Sequence, residues 1–286
     1  MPKEIKNKNN KVLPLNLSPK ESSNEKEIKE KKTEEEKPPF ETTTLWDYPR
    51  QSYGEKPKGN NKFQGVTPAF IILNMIQRYT KQGDLVVDPM CGSGTTIDVC
   101  EEEGRKAIGY DINPQHPKGI KNDSRRIPLK DNSVDMVFID SPYGDNVSYS
   151  NELADIGKIS AEDPKFYAEL EKVAGEIYRI LKPGKVIGWL IGDQWVKRKF
   201  TPVGLKIYQM LVDNVKFEPI DLICVTRRNQ SSNTRVWHYR AQKFNFFLRG
   251  FKYLILAKKP ISEITETNQA TKVKWQRYKN LASPEP

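Results

Sequence analysis

Three short apolar runs in this chain each finish on an aspartate. They are Leu85-Val86-Val87-Asp88, Lys106 to Tyr110 with Asp111 following, and Val134 to Asp140. Runs this short, apolar without alternation, suit strands buried on both faces of a parallel sheet. Helical patterns separate them. Ala69–Tyr79 follows Thr67 as a cap with Pro68 at the first helical position, and Thr95–Glu103 stops at Gly104. Ala161–Leu181 has Ser160 as its cap and Lys182-Pro183-Gly184 as its stop, and Pro202–Asn214 is a further helix. Lys185–Ile191, Leu222–Thr226 and Tyr253–Ala257 complete the strands. Alternation of this kind predicts an α/β sheet with helices on both faces, and ligands in such sheets bind at the carboxyl ends of the strands.

Composition limits what the fold can serve. The chain has 286 residues and a formal net charge of +10. Residues 1–40 hold 10 Lys, 8 Glu and one aromatic residue, Phe40, so the rest of the chain keeps a net +8. A basic fold suits a polyanionic partner. Residues 1–45 read as a disordered charged tail, 46–260 as the folded domain and 261–286 as a polar tail. No run approaches the 18–20 apolar residues of a membrane helix, and the opening MPKEIKNKNN has no apolar h-region, so no membrane partner and a cytoplasmic location are expected. Three cysteines (Cys91, Cys100, Cys224) form no CxxC pair, which suits a reducing compartment. Two histidines, His116 and His238, leave little from which to build a metal site or a triad, and no metal is expected.

The strand ends carry the chemistry. After the first strand comes Asp88-Pro89-Met90-Cys91-Gly92-Ser93-Gly94-Thr95-Thr96, a turn with two glycines leading into a helix start. Such a turn lets backbone approach a ligand closely. It lacks the G-x-x-x-x-G-K-[ST] run of a P-loop, and Ile97 stands where a dinucleotide fingerprint needs its third glycine. The ligand is then another nucleoside-like molecule. Asp111 at the end of the second strand suits a ribose diol, with Ile112 beside it, and Asp123 in Asn122-Asp123-Ser124 can accept from an adenine amine. Each acid alone is equally a loop or cap residue; their succession after consecutive elements favours the ligand reading.

The third strand ends in Asp140-Ser141-Pro142-Tyr143. With DPMCGSGTT, GYDI and ND before it, this set resembles the S-adenosylmethionine-dependent amino-methyltransferases, which methylate N6 of adenine or N4 of cytosine in DNA. The resemblance spans roughly Phe63 to Pro260, and the motif order is similar to the gamma arrangement of the DNA enzymes. It implies a class I methyltransferase-like fold: a doubly wound, mostly parallel seven-stranded sheet with a basic insertion between the last two strands. It implies that Asp88 to Thr96 wrap the methionine part of the cofactor, Asp111 holds the ribose, and Asp123 and Ser124 meet the adenine, with Ile112 packed on its face. Phe63, Thr67 and Pro68 match the segment that closes over the methionine end. Asp140 and the Ser141 carbonyl would accept from the target amine, and Tyr143, after Pro142, would stack on the flipped base. Ser141 departs from the usual proline, which leaves the target base open. No Pro-Cys dipeptide is present, so a C5-cytosine mechanism is not indicated, and Cys91 is expected to pack rather than react.

Between Leu222 and Ser262 stand nine Lys or Arg residues and no acid. Cations with interleaved aromatics suit phosphates and bases. Residues 227–250 are therefore expected to recognise nucleic acid through Arg227, Arg228, Arg235, Trp237, Tyr239, Arg240, Lys243 and Arg249, with Phe247 and Phe251 in the core. Asp145, Asn146 and Tyr149, and Gly192-Asp193-Gln194-Trp195, are expected near the pocket. DNA is the expected partner, with a cognate restriction endonuclease as a possible companion. An RNA methyltransferase resembling the tRNA guanosine-N2 family is the alternative. A glutamine methyltransferase with N-P-P-Y fits less well because of Asp140, and a decayed binding-only subunit fits less well because the Gly turn is intact.

Overall fold

The computed structural model describes residues 38, 40–60, 62–63, 65–145, 147, 149–227 and 234–261. The polar C-terminal segment beyond Ile261, Arg228, Asn146 and most of the charged N-terminal tail lie outside them. The main sheet contains β1 (Leu45–Tyr48), β2 (Leu85–Asp88), β3 (Lys106–Asp111), β4 (Ile120–Lys121), β5 (Val134–Asp140), β6 (Leu181–Ile191), β9 (Glu218–Arg227) and β10 (Lys252–Lys258). The short strands β7 (Gln194–Val196) and β8 (Lys199–Thr201) form a separate hairpin. The helices are α1 (Ala69–Tyr79), α2 (Thr95–Glu102), α3 (Pro164–Ile180), α4 (Val203–Gln209) and α5 (Arg235–Lys243).

Strand order is β1-β9-β10-β6-β5-β2-β3-β4, and only β10 runs antiparallel to its neighbours. The expected doubly wound, mostly parallel sheet is present, with eight strands rather than seven. β5 shows why its stretch from Met136 to Ile139 is apolar without a break. Val137 and Ile139 face a core with Phe166, Leu170 and Ile177 of α3. Met136 and Phe138 face the opposite core with α1. Successive strand residues point to opposite faces, and here both faces are covered.

The eighth strand has its own cause. Ala69 through Ile76 of α1 are all buried, so one sheet face cannot cover this helix. The segment before it supplies a second cover. Tyr48 stacks on Phe70 with ring centroids 4.9 Å apart, Trp46 is buried, and β1 pairs parallel with β9. Each large side chain buried this way contributes about 1.5–3 kcal/mol. The N–H of Glu41 also donates to Asn74 Oδ1 at 2.8 Å. The folded domain therefore begins before residue 46.

Local corrections follow from competing hydrogen bonds. Pro68, not Thr67, is the residue preceding α1, and no side chain caps that helix; the Thr67 hydroxyl is bonded elsewhere. Asp163, not Ser160, caps α3 by accepting from the Lys165 N–H. Lys182-Pro183-Gly184 does not separate helix from strand, because β6 starts at Leu181 and carries Gly184 at φ 76° within it. The order of strands reverses between β2 and β5, which lie side by side with Val87 opposite Val137. The crevice outside a reversal of this kind is where such sheets bind ligands, and Asp88 and Asp140 end those two strands.

Candidate active site

The turn after β2 is held from within. Asp88, fully buried, accepts from the Met90 N–H at 3.0 Å and from the Thr96 hydroxyl at 2.5 Å. Burial pushes its carboxyl up to about 7 despite those donors, and the neighbouring Asp111 and Asp140 carboxylates add to the rise. Each oxygen holds one donor of the turn, so Asp88 shapes the cleft wall. Ser124 likewise serves the turn: its hydroxyl donates to the Pro89 carbonyl. The glycines are needed where they stand. Gly94, at φ 83°, precedes α2, and a Cβ there would lie 2.4 Å from the His116 ring. A Cβ on Gly92 would lie 2.9 Å from the Phe63 ring.

Asp111 keeps capacity for a ligand. One oxygen accepts from the Gly92 N–H and the other from the Asn113 N–H, each at 2.8 Å. A carboxylate has about four acceptor sites, so two remain. Burial raises its carboxyl above the ordinary value. Asp123 is different. Burial opposes its charge, but the Arg125 guanidinium on both its oxygens outweighs this and holds the carboxyl below the usual range.

These residues border one cleft of about 940 Å³ that opens to solvent. Phe63, Thr67, Asp88, Met90, Cys91, Gly92, Ser93, Thr95, Thr96, Asp111, Ile112, Asp123 and Ser124 line it, together with Asp140, Pro142 and Tyr149. Pro68, Pro89, Gly94, Ser141 and Tyr143 are outside the lining set. Cys91 is buried, and burial pushes its thiol up, so it carries no ready thiolate.

At the β5 end, Asp140 is engaged from two directions. Thr67 donates its hydroxyl to Oδ2 at 2.8 Å. Lys252, the first residue of β10, places Nζ 3.1 and 3.2 Å from the two oxygens and 5.4 Å from the centre of the Tyr143 ring. The sequence placed Thr67 at the cofactor and left Lys252 among the nine basic residues between Leu222 and Ser262; the fold brings both to Asp140. Ser141 is buried, and its Oγ accepts from the Trp189 indole N–H at 2.9 Å. That bond gives the non-proline residue a packing role. The Tyr143 ring lies beside Gly192. Burial, with the Asp140 carboxylate next in weight, raises the Tyr149 hydroxyl.

A carboxylate acceptor beside a glycine turn, at the reversal point of a doubly wound sheet, is the arrangement the motifs implied. The family model described as DNA methylase matches residues 4–122 and 134–283. The chain belongs to this family. Among curated proteins, the chain is 35% identical to the DNA adenine methyltransferase YhdJ of Escherichia coli over 30% of this chain and 27% of that protein. It is 30% identical to the type II methyltransferase M.HpaI of Haemophilus parainfluenzae over 33% of this chain and 29% of that protein. It is 27% identical to the type II methyltransferase M.MjaII of Methanocaldococcus jannaschii over 44% and 25% respectively. The matched parts thus span under a third of each relative's length.

The insertion of this chain stands clear of the core. Every residue of α5 lacks burial. Trp237 and Tyr239 are exposed, with Arg240 5.0 Å from the Trp237 ring centre and Lys243 5.7 Å from that of Tyr239. Arg235 opens the helix, and Arg227 ends β9 opposite Tyr48. Phe247 and Phe251, expected in the core, are 84% and 41% exposed; both lie in the loop between α5 and β10, outside any strand or helix that faces the core. Asp145 is exposed. Residues 193–195 do not line the cleft. Asp193 accepts from the Tyr253 hydroxyl and the Gly204 N–H, and Trp195 stacks on Phe246. No helix among the described residues is long and apolar enough to cross a membrane.

Proposed function

We propose that this chain transfers a methyl group from S-adenosylmethionine to an exocyclic amine of a flipped DNA base, N6 of adenine or N4 of cytosine. The observation that carries the reading is that Asp140 and the glycine turn line one cleft. The cleft suits the cofactor: its turn is closed to any Cβ at Gly92 and Gly94, and Asp111 keeps two acceptor sites beside it. Phe63, Thr67 and the Asp88–Thr96 turn would border the methionine end, Asp111 the ribose, and Ile112, Asp123 and Ser124 the adenine. Bound there, S-adenosylmethionine supplies an electrophilic methyl on a sulfonium.

The chain's residues must make a poor nucleophile reactive. The lone pair of an aromatic amine is delocalised into its ring. Asp140 and the Ser141 carbonyl, accepting the two amine hydrogens, would pull the nitrogen toward tetrahedral geometry and localise that pair. Tyr143 would stack on the base, and fixed orientation supplies much of the remaining rate. The surplus proton of the methylated amine leaves to Asp140 or to water in the open cleft. Flipping the base costs roughly a few kcal/mol, offset by stacking and phosphate contacts from the insertion. A cognate restriction endonuclease is part of the same proposal, as a companion to this chain.

Transfer of labelled methyl to unmodified DNA, with tRNA and rRNA in parallel and nucleoside mass analysis, tests the reading. N6-methyladenine or N4-methylcytosine in DNA is expected, and Asp140→Ala is expected to lower transfer by about a hundredfold or more. Label in RNA alone overturns the DNA assignment.

A further inference from the structure

Hairpin β7–β8 leaves the sheet beside the cleft. It follows β6, whose Leu190 pairs with Asp140. Its first residue, Gln194, is buried, and the Gln194 amide fills the space over Gly144, where a Cβ would lie 2.0 Å from Nε2. The hairpin base is therefore fixed against the Asp140–Tyr143 motif.

Trp195 and Phe200 are directly opposed in the hairpin, so they share a face. Trp195 stacks on Phe246 at 6.4 Å and 13°, and the Arg249 guanidinium lies 5.2 Å from the centre of the Phe200 ring. The aromatic face thus joins the hairpin to the insertion. At the tip, Lys197 and Arg198 adopt φ 49° and 64°, the left-handed pair that closes a tight two-residue hairpin. Both are exposed and have no ion-pair partner among the described residues, whereas the next residue, Lys199, pairs with Glu162 at 3.4 Å. Two cations without an ion-pair partner among the described residues thus stand at the tip of a short hairpin beside the site.

We infer that the β7–β8 hairpin is a DNA-backbone clamp, in which Lys197 and Arg198 grip phosphates next to the flipped nucleotide. The inference rests on the proposed DNA reading and deepens it. The occupant is duplex DNA because two exposed cations on a hairpin based against Gly144, beside the Asp140–Tyr143 motif, match the phosphates that flank a nucleotide taken into the cleft. Hairpin and insertion then meet the duplex as one unit, set in place by the Trp195–Phe246 and Phe200–Arg249 contacts.

The test is binding of the full chain to a labelled duplex across a salt series, for wild type, K197E/R198E and the milder K197A/R198A, with S-adenosylmethionine affinity measured on each as a check of folding. The charge-reversed variant is expected to bind duplex about tenfold or more weakly. The slope of log affinity against log salt should fall by about two in K197A/R198A. Equal affinity and slope in wild type and both variants overturn the clamp. Failure of the wild type to bind or methylate DNA would instead sink the DNA reading itself, which separates the two.

Discussion

Lys252 Nζ lies 3.1 Å from one carboxylate oxygen of Asp140 and 3.2 Å from the other, across 112 residues of sequence. Thr67 reaches the same carboxylate from a third segment. In the proposed reaction the target amine donates to this carboxylate, which already holds these donors, so an entering base would share it or displace one of them. The ammonium also offsets the Asp140 charge in a cleft that holds Asp88 and Asp111. Two charges withdrawn from water are favourable only when well paired.

Lys252→Met should lower kcat/KM for DNA by about tenfold or more while leaving S-adenosylmethionine affinity unchanged, since the ammonium acts at Asp140. Lys252→Arg should recover part of the loss. Single-turnover methyl transfer beside cofactor titration checks this, and equal rates in Lys252→Met and wild type refute it.

Gly94→Ala should weaken cofactor binding and destabilise the fold. Backbone at φ 83° costs an alanine about 1–2 kcal/mol, and its Cβ would collide with His116. Adding His116→Ala relieves the collision but not the backbone cost, so recovery in the double variant should be partial. Calorimetric titration and thermal unfolding measure both.

Asp88 ties stability to pH. Its carboxyl titrates near 7 in the fold against 3.8 as the ordinary value. Between those values the folded chain keeps a proton that the unfolded chain has lost, so stability falls as pH rises. The contribution is whole below about pH 4 and lost as pH passes about 7. Asp88→Asn should therefore show a smaller drop in unfolding midpoint from pH 5 to pH 8 than wild type. An identical drop would count against the buried carboxyl as its source.

Ser141→Pro restores the commoner motif but should not stabilise the protein. It would leave the buried Trp189 N–H without an acceptor, at a cost of about 1–3 kcal/mol. Trp189→Phe in the same background removes the orphan donor. Denaturant unfolding of the single and double variants should show that the two changes are not additive.

Much of the fold was legible because its signals are local. An apolar run such as Met136–Ile139 needs both faces covered wherever it lies, and Gly92 and Gly94 mark a turn by their lack of a Cβ. The motif order from Asp88 to Tyr143 placed the cleft for the same reason: consecutive strand ends in a parallel sheet share one edge. Caps were less legible. Thr67 has the right residue type, but a carboxylate 73 residues away takes its hydroxyl.

By itself, the sequence determined the α/β class, the glycine turn, Asp111, and Asp140 as the acid at the third strand end. Periodicity and residue chemistry act over a few positions, and these features need no more. Only the tertiary structure decided that β1 covers α1, that Asp88 and Ser124 serve the turn, and that Trp195 and Phe200 carry a basic hairpin on the insertion. It alone put Lys252 on Asp140. Those outcomes depend on which distant groups compete for one donor, one acceptor or one apolar face, and that competition is settled only when the chain has closed on itself.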